Sequence, residues 1–462
     1  MGGHVVSTIR KGIADYECFE SEPYVLMYGC MWVCLTVGIW LFLASKYEMP
    51  VSTTHSCIGA MIGMTLALKG PKCVIWFKET ETFPYVGGVG GIVLSWLISP
   101  LFSAIISASI FGTIRSYILR VNDSFERCIY VFPTIVGSTI TLNTFYIIYK
   151  GAKGIGLDDI PLPIVCAWSF GIGGGIGLLT IPYVSHIKPS IIEKYNNNEL
   201  DDSLHTGNIE LLQINNMEAQ QLTIENLTID EPIKEQEIEC SLELPPLHLK
   251  DKSDHDSVLD DIIKKDNKVL TIHANAEKFD PKTEELFKSL QVFTAICSAF
   301  SHGANDVANA IGPFATMYVI YTNKEISKES DLGNNAYWIL ALGGSGIALG
   351  LAVYGHKIIQ AIGLKLCKIT PSRGIAIELA SALVVITGSR LKIPLSTTHC
   401  QVGATTGVAL LEDPINCSGI NKDVLYKAVL GWGLTLVIAA TTAALFVSQG
   451  AYAPETIGYD EL

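Results

Sequence analysis

The sequence contains two similar eleven-residue segments, and their residue types suit the binding of an anion. The copies lie at 45–55 and 389–399, so that Ser52 corresponds to Ser396 at a constant offset (396 − 52 = 344). Both copies end in Pro-x-Ser-Thr-Thr-His, and a Gly-Ala pair follows each of them in register. Proline favours the first turn of a helix, and Ser or Thr caps its free N–H groups. Each copy therefore predicts a helix start with hydroxyl groups, free backbone donors and a positive dipole end.

Two such helix starts facing each other would hold a tetrahedral oxyanion without any lysine. The six predicted anion ligands are the hydroxyl residues of the two copies, namely Ser52, Thr53, Thr54, Ser396, Thr397 and Thr398. The alternative is that these hydroxyls only bond neighbouring helices, as Ser and Thr do in membranes. Duplication in register favours the anion site. His55 and His399 are candidates for proton coupling, with a hydrogen-bonded structural role as an equal alternative.

A second motif, Gly-Ala-Asn-Asp-Val-Ala-Asn, suits the binding of a cation. Asn305 and Asn309 are spaced i, i+4 and share one helix face, with Asp306 beside them. Carboxylate, carboxamide and carbonyl oxygens are the ligands of a hard cation such as sodium. Gly303 and the Gly-Pro pair at 312–313 are expected to interrupt the helix and free backbone carbonyls. Placing an ionisable side chain inside an apolar segment costs free energy, so the presence of Asp306 there indicates a functional site.

Glu378 lies in another apolar run and is a further candidate for binding a cation or a proton, or for a gating movement. A structural ion pair with Arg373 or Lys392 is the competing interpretation. Arg10 and Lys11 carry charge that could attract phosphate, although anchoring of a helix end at the lipid headgroups is favoured.

Membrane-spanning helices must position these residues. Of the 462 residues, 49% are hydrophobic and 17% are charged, which excludes a single soluble domain. Apolar runs predict spans at 25–44, 84–114, 128–149, 162–187, 290–321, 336–354, 375–387, 393–411 and 429–447. Several are short or contain Gly and Pro, which predicts discontinuous helices that line a cavity. The expected fold is an all-α polytopic membrane protein, an inverted-repeat transporter with discontinuous or re-entrant helices.

The charged residues are concentrated between two groups of spans. The expected domains are an N-terminal membrane half at 1–187, a hydrophilic and largely disordered loop at 188–288, and a C-terminal membrane half at 289–462. Lysines flank the loop, which favours a cytoplasmic position. A regulatory or partner-binding loop is the alternative to a simple tether.

Several classes of protein find no support in the sequence. The net charge of −13 arises mostly in the loop, and nothing indicates nucleic-acid binding. The twelve cysteines are scattered singly, so no disulfide framework is expected. The sequence contains no nucleophile–base pair and no metal-like cluster, so the protein is not expected to be an enzyme or to carry a cofactor.

The motifs resemble the inorganic phosphate transporter (PiT) family, solute carrier family 20 in animals, over nearly the whole chain apart from the loop. The similarity lies in the segment 303–310, in both Pro-x-Ser-Thr-Thr-His copies, and in the segments 8–12 and 370–374. The resemblance implies an inverted-repeat fold of about twelve membrane segments. It also implies symport of phosphate with sodium or protons, a cytoplasmic loop and a plasma-membrane location.

The resemblance further implies roles for individual residues. Asn305, Asp306 and Asn309 would coordinate cation and phosphate, with sodium expected at Asp306 and Asn309. Glu378 matches a glutamate that is functionally important in the family. Expected partners are inorganic phosphate, sodium or protons, and the lipid bilayer, with a homodimer left open.

The N-terminal region departs from the family pattern. Members carry a second Gly-Ala-Asn-Asp-like motif in the first repeat, and the offset would place it before Met1. We expect a truncated sequence that begins inside the first repeat; the alternative is loss of half the cation site. The alternative functions are transport of sulfate or another oxyanion, and a membrane receptor or phosphate sensor that does not transport.

Overall fold

The protein is almost entirely α-helical. The computed structural model describes residues 6, 8–9, 11–80, 85–149, 160–225, 266–326, 337–391, 393–413, 415 and 417–452. The α-helices of this part of the chain are α1 Pro23–Lys46, α2 Thr53–Lys69, α3 Gly88–Ile114, α4 Ser124–Ile148, α5 Leu162–Glu225, α6 Asn267–Asn275, α7 Pro281–Asn323, α8 Tyr337–Gly350, α9 His356–Lys365, α10 Pro371–Arg390, α11 Thr397–Leu410 and α12 Lys422–Ala451. One small antiparallel hairpin pairs β1 Lys78–Glu79 with β2 Val86–Gly87. The architecture is the all-α polytopic arrangement that the sequence predicts.

Among the described residues, seven helices are long and apolar enough to cross a membrane. They are Pro23–Lys46, Gly88–Leu119, Ser124–Ile148, Leu162–Asn197, Trp338–Gly355, Pro371–Arg390 and Lys422–Ala451. The first unit of the fold, Met1–Ile181 with Asp266–Leu462, contains all of them apart from the C-terminal part of α5, which lies in a second unit, Pro182–Lys265. The division at 1–187, 188–288 and 289–462 stays a prediction.

One end of the first unit is the disulfide face, where Cys18 is bonded to Cys73. α3 begins at this face, since the Val89 N–H donates to the Ile75 carbonyl at 2.9 Å. α12 ends at it, since the Tyr452 hydroxyl donates to the carbonyl of Ala67, near the end of α2. The expectation of no disulfide framework misses this bond, because the two cysteines are 55 residues apart and meet only through tertiary contacts such as the Ala14–Val74 bridge.

The opposite end is the loop face, where Glu277 pairs with Arg120. α3 ends here, where Arg115 Nη1 donates to the Leu411 carbonyl at 2.8 Å. α12 begins here, where the Asn421 N–H donates to the carbonyl of Leu366. Helices of 27 and 30 residues span about 40–45 Å, so the two faces are separated by the thickness of a membrane.

The helix pairs that carry the repeated motif have opposite orientations. α1 begins and α2 ends at the disulfide face, where Glu22 pairs with Lys69. α10 begins and α11 ends at the loop face, where Arg373 Nη2 lies 2.5 Å from Glu412 Oε1. α2 and α11 have only 17 and 14 residues, so their N-termini lie inside the unit. This is the predicted inverted repeat with discontinuous helices.

The Gly-Ala pairs that follow the motif permit close helix crossings. α2 packs chiefly against α12, and α11 packs chiefly against α3, so each half-helix contacts the other repeat. A Cβ added at Gly59 would lie 2.6 Å from the Leu436 carbonyl oxygen, and one at Gly403 would lie 2.6 Å from the Cα of Pro100. Small residues are needed where helix backbones approach this closely in a membrane.

The expected interruption of α7 is wrong. The helix runs without a break through both Gly303 and the Gly-Pro pair at 312–313. The neighbouring turns hold the helix together, and Pro313 removes a single backbone donor. Because that donor would have bonded residue 309, the carbonyl of Asn309 is freed.

Both ends of the segment 188–288 are helical, while the expected disorder of the segment as a whole stays a prediction. α5 continues to Glu225, and α6 and α7 cover most of 267–288; residues 226–265 lie outside the described part. Val269 and Ile272 are buried, and Glu277 accepts two hydrogen bonds from Arg120 at 2.8 and 2.9 Å. The Arg120 guanidinium holds the pKa of the Glu277 carboxyl below its usual value. These contacts with the loop face order a polar segment that lacks a core of its own.

Candidate functional site

The starts of α2 and α11 meet in the interior of the first unit. Ser396 Oγ donates to Ser52 Oγ at 2.9 Å, and both side chains are at most 1% exposed. Each serine also caps its own helix: Ser52 Oγ accepts from the His55 N–H and Ser396 Oγ from the His399 N–H, both at 3.3 Å. The capping predicted from the sequence is therefore present in both repeats, and the two caps touch.

The following threonines cross-link the repeats in a reciprocal manner. Thr54 Oγ1 donates to the Leu395 carbonyl at 3.0 Å, and Thr398 Oγ1 donates to the Val51 carbonyl at 3.4 Å. Each of these carbonyls belongs to the residue just before the serine of the other copy. The two motifs are thus related by an approximate two-fold axis.

Asp306 bridges the two helix starts with one carboxylate. Thr53 Oγ1 donates to Oδ1 at 3.0 Å, and Thr397 Oγ1 donates to Oδ2 at 2.9 Å. The Asn309 side-chain amide donates to Oδ1 at 3.2 Å. The structure therefore joins the two predicted motifs, anion and cation, in a single cluster.

The two asparagines have different surroundings. Asn305 Nδ2 donates to the Leu395 carbonyl at 2.9 Å, and its Oδ1 accepts from Ser389 at 3.3 Å. Asn309 Nδ2 donates to Thr54 Oγ1 at 3.0 Å, while its Oδ1 is buried and has no partner among the described residues. Asn309 thus carries two free oxygens, the side-chain Oδ1 and the backbone carbonyl that Pro313 releases.

The backbone at the two helix starts also carries free donors. Ser56 and Cys400 are the first residues of α2 and α11 whose N–H groups bond a backbone carbonyl, at 3.1 Å to Ser52 and Ser396. The Ser caps take the N–H of the preceding residue in each helix. The N–H groups of Thr53, Thr54, Thr397 and Thr398 are the helix-terminal donors that lack intrahelical partners.

Glu378 lies outside this cluster. Its Oε1 accepts from Gln401 Nε2 at 3.4 Å, on the face of α11 one turn beyond Thr397. The competing pair with Arg373 is wrong, because that guanidinium is bonded to Glu412. Lys392 lies outside the described residues.

His302 is a polar residue of the site that the sequence reasoning overlooked. Its Nε2 lies 3.0 Å from Ser381 Oγ. It stands one helical turn before Asp306 on α7, and Ser381 stands one turn after Glu378 on α10. His302 therefore lies between the two carboxylates, and its i, i+4 spacing from Asp306 was the available signal.

Two basic residues of the first segment complete the predicted set. Arg10 lies outside the described residues. Lys11 is half-buried close to the Ala14–Val74 bridge at the disulfide face. Attraction of phosphate and anchoring at the headgroups both remain predictions for this pair.

The chain is similar to known transporters over almost its whole length. The model of the phosphate transporter family matches residues 1–443. Sodium-dependent phosphate transporter 1 of Xenopus tropicalis is 24% identical, with 98% of this chain and 88% of the relative covered. A putative phosphate permease of Pyrococcus abyssi is 29% identical, with 96% and 83% covered. A solved structure described as the sodium-dependent phosphate transporter has 26% identity and a TM-score of 0.66, covering 98% of this chain and 86% of that one.

Proposed function

Because the chain belongs to the phosphate transporter family, an integral multi-pass membrane family of transporters rather than enzymes, we propose that it carries inorganic phosphate together with a cation. The observation that supports this most is the carboxylate of Asp306, which accepts from Thr53 of one repeat and Thr397 of the other. One ionisable group in the membrane interior is thereby connected to both inverted helix starts, where substrate sites of such transporters lie.

Phosphate would bind where the two helix starts converge. The free N–H groups of Thr53, Thr54, Thr397 and Thr398 are donors suited to anions. The hydroxyls of the Ser-Thr-Thr segments are bonded within the protein, so binding would exchange these bonds for bonds to phosphate oxygens. The side-chain amide of Asn305 donates to the carbonyl of Leu395, just before Ser396. Asn305 would thereby orient the Ser-Thr-Thr segment of the second repeat.

The charges of the site explain why a cation would accompany the anion. Each helix start contributes about half a positive charge, and Asp306 contributes one negative charge, so the empty site is close to neutral. An added phosphate would leave one or two buried negative charges uncompensated, which is costly in a membrane interior. Cotransport of sodium or protons would remove that cost.

Sodium is the coupling ion that the oxygen atoms suit best. The Asp306 carboxylate and the unpartnered Oδ1 of Asn309 are hard oxygen ligands on side chains that bond each other. Glu378, with Gln401, would take a second cation or a proton, and His302 lies between the two positions. The sodium-dependent relatives are consistent with this choice.

Phosphate is a better substrate for this site than sulfate. Near neutral pH phosphate carries at least one O–H group, which can donate to the Asp306 carboxylate, whereas sulfate carries none. A buried acceptor left unpaired by the wrong substrate discriminates strongly against it. Selective binding of phosphate would also suit a phosphate sensor that does not transport, and this is the principal alternative.

The Cys18–Cys73 bond supports an orientation in the membrane. Disulfides persist in oxidising surroundings, so the disulfide face would be extracellular and the loop face cytoplasmic. This agrees with the cytoplasmic loop predicted from its flanking lysines. The plasma membrane and a homodimer remain predictions.

The test is uptake of radiolabelled phosphate by proteoliposomes under a sodium gradient or a proton gradient. Asp306→Asn keeps the shape but removes the charge, and uptake is expected to fall about 100-fold or more, since two charge-assisted hydrogen bonds of about 1.5 kcal/mol or more each are weakened. Asp423→Asn, at an exposed ion pair of the loop face, is the matched control and should transport like wild type.

Other outcomes separate the alternatives. Uptake driven by a proton gradient alone would show that the proton, and not sodium, is the coupling ion. Competition by sulfate equal to that by phosphate would reassign the substrate. Phosphate binding without uptake under either gradient would favour the sensor.

A further inference from the structure

Four aromatic rings in a row, here called the stack, lie directly behind the two helix starts, with one nearly parallel pair and two pairs tilted by 42° and 33°. Their order is Trp96, His55, His399 and Trp432, with successive ring centroids 3.5, 4.6 and 3.7 Å apart. The rings belong to α3, α2, α11 and α12 in that order. The stack therefore joins two helices of the first repeat to two helices of the second.

Hydrogen bonds tie each tryptophan to the opposite repeat. Nδ1 of His399 lies 3.0 Å from the Trp96 carbonyl, and Trp432 Nε1 donates to the Pro50 carbonyl at 3.2 Å. Since a carbonyl only accepts, His399 Nδ1 carries the hydrogen. Both imidazoles are 4% exposed, so the stack is closed to water.

The histidines are connected to the anion site through the backbone. Each is the third residue of its helix, and its N–H is held by the serine that caps the helix. These two serines are the residues whose hydroxyls touch at 2.9 Å across the repeats. The distance between the two rings is thus transmitted to the distance between the two caps.

We propose that His55 and His399 are positioning residues, whose stacked rings hold the two helix starts at the separation at which both Ser-Thr-Thr segments reach one anion. This inference rests on the proposed function for its substrate, but the stack itself can be tested without transport. It assigns these residues to ring packing rather than to proton coupling.

The nitrogen atoms support this assignment. Nδ1 of His55 and Nε2 of His399 are buried and have no hydrogen-bond partner among the described residues. A proton on either ring would place a cation beside two positive helix ends. The described contacts of the two rings include no carboxylate that would compensate it. The planar ring is therefore the property that the two positions share, and His399 adds the bond from Nδ1 to the Trp96 carbonyl.

Substitution of each histidine by Phe keeps an aromatic ring without its nitrogens, whereas substitution by Ala removes the ring as well. In proteoliposomes, His55→Ala and His399→Ala are expected to raise the phosphate KM about tenfold with Vmax little changed, because one aromatic contact is worth up to about a factor of ten. His55→Phe should stay within about twofold of wild type, since it keeps an aromatic ring and the buried Nδ1 that it removes has no partner among the described residues. His399→Phe should lie between, because it loses the bond to Trp96.

Two results would overturn the inference. If His55→Phe impairs uptake as much as His55→Ala, the nitrogen and not the stacked ring is required. If His55→Phe abolishes the pH dependence of uptake, the residue couples protons.

A measurement on the purified protein separates this inference from the proposed function. Thermal unfolding in detergent of His55→Ala, His399→Ala and the double variant should show strongly non-additive shifts of the midpoint, because the rings contact each other. Additive shifts would disprove the stack even if phosphate is transported. Non-additive shifts in a protein that transports no phosphate would retain the stack and reject the proposed function.

Discussion

The helix pairs α1–α2 and α10–α11 are joined by the same repeated motif, but their first helices have very different surroundings. In their most apolar stretches, 33% of α1 is buried, against 78% of α10. α10 packs against α7, α3, α11 and α4, whereas α1 packs against α2, α7 and α12 and leaves a broad face to lipid. One repeat thus has the helix before its motif at the edge of the bundle, and the other has that helix inside.

The residues of the two helices follow this difference. The 344-residue offset aligns Gly29 and Cys34 of α1 with Arg373 and Glu378 of α10. The lipid-facing helix has no charge at these positions, while the enclosed helix has two. Ionisable groups are tolerated in a membrane only where protein shields them. Duplication therefore preserved the serine-capped helix start in both repeats, and the charged groups reside in the repeat that can enclose them.

The largest expected effect concerns the aligned pair Arg373 and Gly29. Arg373 is 1% exposed and bonded to Glu412, so Arg373→Met would leave a largely buried carboxylate unpaired and cost about 3–5 kcal/mol of stability. Gly29→Ala should cost far less, because its new methyl group would meet only the flexible side chains of Met64 and Leu68 in the same repeat. Thermal unfolding in detergent measures both.

A double variant tests the cause of that loss. Arg373→Met combined with Glu412→Leu should recover much of the stability, since a buried ion pair can be replaced by apolar residues. Equal losses in Arg373→Met and Gly29→Ala would contradict the difference between the two helices.

The second prediction compares Glu378 with Cys34. Glu378→Gln should lower sodium-driven phosphate uptake about 10- to 100-fold, which corresponds to losing one charge-assisted interaction. Cys34→Ser, at the aligned position of α1, should leave uptake nearly unchanged. Similar losses in both variants would indicate that the two repeats share the coupling role.

The smallest expected effect is that of removing a serine cap, and it should be alike in the two repeats. Ser52→Ala and Ser396→Ala each remove one helix cap, worth about 1 kcal/mol, so each should raise the phosphate KM about fivefold. Because the two hydroxyls bond each other, the double variant should cost less than the two single variants combined. A loss confined to one serine would show that only one repeat contacts the anion.

Sequence reasoning succeeded where local chemistry specifies local structure. Proline followed by Ser-Thr-Thr predicts a capped helix start, and both Ser52 and Ser396 cap their helices. Apolar runs of spanning length predicted most of the long helices. Asp306 was identified because a carboxylate inside such a run is rarely incidental.

Sequence reasoning failed where distant residues or neighbouring turns determine the outcome. α7 stays continuous at Gly303 because flanking turns tolerate a flexible residue, a property that glycine content alone does not reveal. Cys18 and Cys73 could not be paired from scattered cysteines, and Arg373 could not be assigned to Glu412 rather than to Glu378. Each of these pairings is determined by how the chain folds and not by the local sequence.

The sequence by itself determined that the protein crosses a membrane, that it contains a repeat, and that the repeat ends in helix starts suited to an anion. Periodicity, apolar length and capping residues are local properties, and one chain displays them directly. Only the tertiary structure decided that both starts converge on Asp306, that Asn309 retains a free oxygen, and that the ring of His55 contacts that of His399. These facts depend on which helices pack together in an inverted arrangement, and the packing brings together residues more than 250 positions apart.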